Sequence, residues 1–311
     1  MNFKCLFWIG ALLLTLQTSC SINPYSKTNR KHLRQSSQLA KSLKKFPPDH
    51  DDDSLINYGP YPVGTTNFSL RKPNYVILHH TAQKDVEQTL YTFTLPRTAV
   101  SSHYVISREG EVFQMLNDHY RAWHAGAGKW GNDTDLNSAS IGIELDNNGN
   151  EPFSEPQISE LIDLLKILKS RYDIPTANFI GHSDIAPTRK VDPNITFPWK
   201  RLAEEGFGYW YDEIEVNPKI VGDSISPQEF DYSRNMVLKV TGNQILENGS
   251  SRDSLTININ PKIALRIIGY DTSDLDAAIR AFKLHFIQKD VNAVLTEEDL
   301  KILFNLSQKY L

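Results

Sequence analysis

The sequence predicts an α/β fold, a mixed β-sheet flanked by helices, followed by a small all-α C-terminal module. Three observations carry this. Apolar runs of strand length at Tyr75–Leu78, Ser140–Leu145 and Asn178–Gly181 are interleaved with stretches of helical periodicity. Alternation on either side of Arg108-Glu109-Gly110-Glu111 marks a hairpin. From Pro261 onward the apolar residues recur at helical spacing.

The elements follow in chain order. Lys4 precedes the apolar run Leu6–Leu14, too short to span a bilayer at about 20 residues and suited to a secretory signal. The run ends in Leu16-Gln17-Thr18-Ser19-Cys20, which resembles a bacterial lipoprotein signal cleaved just before a lipid-modified Cys. That implies a signal peptide over 1–19, lipidation at Cys20 and a membrane-surface anchor without a spanning helix. Ser21 in that pattern favours the periplasmic face of an outer membrane. Residues 21–45 carry seven Lys/Arg and no acid, and 20–60 reads as a flexible, solvated tether. The alternative is a basic segment lying on anionic lipid or wall polymer.

A domain is expected over 61–212. Tyr75–Leu78 is a buried strand delivering His79 and His80 to its end. Asp85–Leu95 is a helix with Val86, Leu90 and Phe93 on one face. Ser102–Ser107 and Val112–Leu116 form the hairpin. Ser154-Glu155-Pro156-Gln157 is a capping box with Pro in the first turn, opening a helix that buries Ile158, Leu161, Ile162, Leu165, Leu168 and Tyr172. A connecting region at 213–260 has weak periodicity. Helices then hold Ile263–Ile268, Leu275–Phe286 and Leu300–Leu306, the last two capped at Ser273–Asp276 and Thr296–Asp299. The module at 261–311 is expected to help capture substrate and to be separable, so that a chain ending near Asp212 keeps the site.

Composition excludes some functions. The chain has 311 residues and a net charge of −4, which argues against a nucleic-acid binder working through a large positive field. Its two Cys are Cys5 and Cys20, so no disulfide framework and no Cys-ligated metal belong to the folded part. A metal would be bound by His and carboxylate. A catalytic zinc takes three protein ligands and keeps one position open. His79 leaves one buried strand, His182 another, and Asp192 follows ten residues later; strand ends and a loop can converge at one sheet edge.

Val76-Ile77-Leu78-His79-His80-Thr81-Ala82, Ser102-His103-Tyr104, Ala122-Trp123-His124-Ala125-Gly126, Ser140-Ile141-Gly142-Ile143-Glu144 and the run Gly181-His182-Ser183-Asp184 through Asp192-Pro193 occur in that order. Together they resemble the zinc-dependent N-acetylmuramoyl-L-alanine amidases of the amidase_2 family, related to peptidoglycan recognition proteins. With the lipoprotein signal and helical C-terminal part, the chain is most similar to AmiD-type lipoprotein amidases. The resemblance implies one Zn2+ per chain on His79, His182 and Asp192. It implies Glu144 as the catalytic carboxylate and Lys190 as the group beside the scissile carbonyl. It leaves His80 in the pocket wall or behind the ligands. Trp123 and His124 are assigned to the substrate groove, with packing as the alternative for Trp123 and Trp130, and His103 to a supporting hydrogen bond. The implied substrate is peptidoglycan or muropeptide, with no nucleic acid and no obligate protein partner. The competing reading is a non-catalytic peptidoglycan-binding lipoprotein; such relatives typically lack a zinc ligand.

Overall fold

Short-range chemistry sets the elements, and strand register then sets the site. A computed structural model describes residues 23–45, 65–67, 69–70, 72–212, 236–240 and 255–311. The expected signal at 1–19, Cys20, and residues 213–235 and 241–254 of the connecting region lie outside the described residues. The chain divides into two units, ending and beginning at Ser69 and Leu70.

The N-terminal unit contains helix α1 (Ser26–Leu43), which has no buried residue and no side-chain cap. The stretch expected as a flexible tether is thus helical over 18 residues. Its Leu, Gln, Lys, Arg and Ala content favours helix locally, although nothing in it forms a core.

The second unit opens with β1 (Tyr75–His80), then α2 (Val86–Phe93), capped by Asp85. The hairpin follows as β2 (Tyr104–Ile106) and β3 (Val112–Gln114), antiparallel. A short turn of helix, α3 (Leu136–Ala139), leads into β4 (Ser140–Leu145). Helix α4 (Glu155–Tyr172) starts with Ser154 accepting from the Gln157 N–H, as the capping box requires. After it come β5 (Phe179–Gly181), α5 (His182–Ile185) and α6 (Trp199–Glu204). The connecting region contributes a two-stranded antiparallel pair, β6 (Met236–Val240) with β7 (Leu255–Ile259). Helices α7 (Pro261–Ile268), α8 (Leu275–Phe282) and α9 (Glu297–Lys309) close the chain, with α8 running on into a π-helical turn at Lys283–Ile287.

The five-stranded sheet has the order β3-β2-β4-β1-β5, with β2, β4, β1 and β5 parallel. Alternation gives it two faces. Val76, Leu78, Ile141, Ile143 and Phe179 face α4 and pack with Ile158, Leu161, Leu165 and Leu168. Ile77 and Ile180 face the other way and share a core with Leu265, Ile268, Ile279, Phe282, Phe286, Leu303 and Leu306 from the C-terminal helices. The helical C-terminal part is present, but its apolar stripes close onto the sheet and do not form a core of their own.

Candidate metal centre

In the parallel register His79 pairs with Glu144, and Leu78 pairs with Gly181. His79, Glu144 and His182 therefore reach the C-terminal edge of the sheet together, where open α/β sheets place their ligands. Alternation puts His79 with Ile77, and Glu144 with Gly142, on the face opposite α4. Asp192 is brought in by its own backbone: its carbonyl accepts the Ser183 N–H at 2.8 Å, next to His182.

Three ligand atoms converge there. His79 Nδ1 lies 2.9 Å from His182 Nδ1 and 3.1 Å from Asp192 Oδ2, and His182 Nδ1 lies 3.0 Å from the same oxygen. Tetrahedral zinc, about 2.0–2.1 Å from N and O ligands, separates them by roughly 3.3 Å, so the triangle is close to the size of one face of its shell. All three residues are buried, and they form a group that could hold a metal ion.

The surrounding hydrogen bonds fix which ring nitrogens are bare. The Ser140 hydroxyl donates its one proton to the Leu136 carbonyl. Its oxygen can then only accept, from His124 Nε2–H at 3.3 Å. His124 Nδ1 is left as an acceptor for His79 Nε2–H at 3.0 Å, and His79 Nδ1 carries no proton. His182 Nε2–H donates to the Ala125 carbonyl at 3.2 Å, which bares its Nδ1 as well. Two bare nitrogens and a carboxylate oxygen thus face one another at about 3 Å, an arrangement that a cation relieves. A partner on the far nitrogen of each ligand His is the usual support of a metal site.

Electrostatics favour the same protonation state. Burial, and then the neighbouring His182, push the His79 pKa down to about 4. Burial works to raise Asp192, but the hydrogen bonds and charges of His182 and His79 outweigh it and hold it well below the usual carboxylate range. Neutral imidazoles and an ionised carboxylate are what a metal takes. Glu144 behaves oppositely. Burial first, and the Asp192 charge second, push its pKa up to about 8, with Lys190 pulling the other way. Lys190 is half-buried, and its charge also opposes protonation of His79.

The remaining sequence-based assignments fall as follows. His124 does not line a groove. It is 8% exposed, sits behind His79 and uses both ring nitrogens there. Its ring occupies the space a side chain at position 142 would fill: a Cβ on Gly142 would lie 2.4 Å from His124 Cγ. Trp123 is 53% exposed. His80 lies against Gly149, with its Nδ1 buried and unpartnered. His103 serves the backbone, accepting from Gly142 N–H at 3.0 Å and donating to the Tyr120 carbonyl at 2.9 Å.

Sequence reasoning missed Asp184. It is fully buried and accepts from Gly181 N–H at 2.7 Å, Tyr270 O–H at 2.7 Å and His285 Nδ1 at 2.8 Å. It ties the residue before His182 to Tyr270, just after α7, and to His285 in the π-helical turn. Its signal, an Asp two residues after a ligand His inside a matched motif, was read as part of the motif and not as a junction.

The buried His79-His182-Asp192 triangle, with the Glu144 carboxyl of raised pKa in register beside it, is a group that could hold a metal ion. The sequence profile of the family described as N-acetylmuramoyl-L-alanine amidase, Amidase_2, matches residues 69–195, which hold every residue of that site. Over 163 residues the chain is 39% identical to the N-acetylmuramoyl-L-alanine amidase AmiD of Escherichia coli K12, covering 47% of this chain and 58% of that one. The solved complex of E. coli AmiD with anhydro-N-acetylmuramic acid-L-Ala-D-γ-Glu-L-Lys superposes with a TM-score of 0.61 at 28% identity, over 82% of this chain and 97% of that one. AmpDH3 from Pseudomonas aeruginosa, solved with anhydromuramic pentapeptide, gives a TM-score of 0.60 at 30% identity, over 82% and 98%. The chain belongs to the N-acetylmuramoyl-L-alanine amidase family. It spans a little over half the length of the curated relatives it matches. Among the described residues no helix is long and apolar enough to cross a membrane.

Proposed function

We propose that this chain is a zinc-dependent amidase that hydrolyses the amide between the lactyl group of N-acetylmuramic acid and L-alanine in peptidoglycan or muropeptides, releasing the stem peptide. The observation that carries the reading is the triangle of bare His79 and His182 nitrogens and the Asp192 oxygen with Glu144 in register beside it. The anhydromuramic peptides bound in the AmiD and AmpDH3 complexes support the substrate class.

His79, His182 and Asp192 would hold the zinc. When bound, zinc supplies a Lewis acid for the carbonyl and a nucleophilic water of lowered pKa. Glu144 takes a proton from the attacking water and returns it to the departing alanine nitrogen. Its raised pKa suits both halves of that task, since a shuttle works best when it titrates near the working pH. Lys190 places positive charge where the carbonyl oxygen becomes an oxyanion, a contribution of about 3 kcal/mol for one such donor. Trp123 offers an exposed apolar wall to the saccharide or the stem peptide. His124 and Ser140 keep His79 in its ligating tautomer.

In this reading the enzyme is exported, lipidated at Cys20 and held at the periplasmic face of the outer membrane, working in cell-wall turnover. The test is mass spectrometry of a defined muropeptide after incubation with the protein. Free stem peptide should be released, release should stop with chelator, and it should return with zinc. Intact muropeptide after incubation with zinc-loaded protein would leave the non-catalytic binder as the better account.

A further inference from the structure

Outside the site, helix α1 carries a strong one-sided chemistry. Lys27, Arg30, Lys31, Arg34 and Lys41 recur at offsets of 3, 4, 7 and 14 residues, which lines them along one side of the helix. Leu33, Leu39, Ala40 and Leu43 lie along the opposite side, with the three leucines 67%, 47% and 78% exposed. No acid occurs between Asn23 and Lys45 to neutralise the basic row.

Among the described residues this helix is poorly supported. It buries no residue, and no side chain caps its N-terminus. Its N-terminal turns stack like charges at i,i+3 and i,i+4, which repel, and Lys27 sits at the positive end of the dipole. An 18-residue helix that buries none of its residues is marginal in water. A partner that neutralises the basic row and takes up the leucines would reverse both costs.

We infer that α1 is an interfacial helix that lies on an anionic phospholipid surface, its basic side on the headgroups and its leucines at the acyl boundary. A helix with one Lys/Arg-rich side, one Leu side and low overall hydrophobicity is the form that lies in a membrane interface and does not span it. Charge complementarity selects an anionic surface, and the leucine side selects a bilayer over a soluble or wall polyanion, which offers apolar groups nothing. The inference does not depend on a lipid at Cys20. It is compatible with one, because the six residues from Cys20 to Ser26 reach at most about 20 Å.

Each Lys or Arg near such a surface strengthens binding by about fivefold, so three of them are worth about 100-fold. The experiment uses the chain from residue 20 with Cys20→Ser, so that no acyl group contributes. Flotation with vesicles of phosphatidylglycerol and phosphatidylcholine should carry the protein up, and pure phosphatidylcholine vesicles should not. The triple variant Arg30→Gln, Lys31→Gln, Arg34→Gln should bind the anionic vesicles about 100-fold more weakly, with muropeptide turnover in solution unchanged. Leu33→Ser with Leu43→Ser should weaken binding that survives high salt. The inference is overturned by equal binding to neutral and anionic vesicles, by no binding to either, or by retention on isolated cell wall that depends on the same arginines while vesicles are ignored. Because α1 buries nothing, the triple variant keeps the parent's melting transition, and a changed transition together with lost turnover would also count against it.

Discussion

Replacing Asp184 with Ala tests whether the C-terminal helices are part of the catalytic fold. The carboxylate is fully buried and accepts three hydrogen bonds, from Gly181 in β5, from Tyr270 after α7 and from His285 in the π-helical turn. Burial, reinforced by the Asp184 charge, raises the Tyr270 pKa well above its usual value, so its hydroxyl stays a donor. The His285 ring is stacked on Trp199 at 3.8 Å and has little freedom to turn away. Ala therefore strands three buried donors at about 1–3 kcal/mol each, and with partial relaxation the expected loss is about 3–5 kcal/mol. Against a typical total of about 5–15 kcal/mol, that is severe. Tyr270→Phe strands nothing buried on its own side and should cost only about 1–2 kcal/mol. Urea unfolding followed by fluorescence and circular dichroism gives both numbers. The reasoning would be refuted by an Asp184→Ala loss under about 1 kcal/mol, or by two separate transitions in which the C-terminal helices melt alone.

Three further outcomes are expected. A chain ending near Asp212 exposes Ile77 and Ile180 and should be insoluble or partly unfolded by near-UV circular dichroism, contrary to a separable module. Gly142→Ala forces the His124 ring to move and, through His79, should weaken zinc binding about 10–100-fold in a competitive chelator titration. In metal-free protein Glu144→Gln should stabilise the fold at alkaline pH. The folded state holds the Glu144 proton up to about pH 8, whereas the unfolded chain releases it near 4.5, so ionising it in the fold costs stability that grows between those values. The gain should be near zero at pH 4.5 and on the order of 2–4 kcal/mol at pH 8, read from urea midpoints; a gain that shrinks as pH rises contradicts the assignment.

Much of the site is legible in the sequence because its residues sit at strand ends. Apolar runs define β1, β4 and β5, parallel pairing brings their ends together, and His79, Glu144 and His182 come with them. Two-residue alternation also gives Glu144 and Gly142 a common face. What the sequence does not contain is the partner of each face. The space beside Gly142 is taken by His124, which belongs to a loop with no periodicity to place it. The stripes in α7, α8 and α9 say that these helices bury something, not that they bury it on the sheet. Asp184 is invisible for the same reason: two of its three donors lie 86 and 101 residues away. Helix α1 was hidden by its polarity, since a segment without a core reads as solvated chain.

The central claim divides labour between a metal triangle and a carboxylate that is not a ligand. The most direct measurement is zinc content and muropeptide turnover on two purified variants, Glu144→Gln and Asp192→Asn. Glu144→Gln keeps size and hydrogen bonding but removes basicity, so it should bind one zinc like the parent while turnover falls about 10²–10⁴-fold. Asp192→Asn puts a neutral amide in place of a carboxylate and should lose zinc first, with turnover partly restored by excess zinc. Loss of zinc from Glu144→Gln, or full activity in it, would contradict the account.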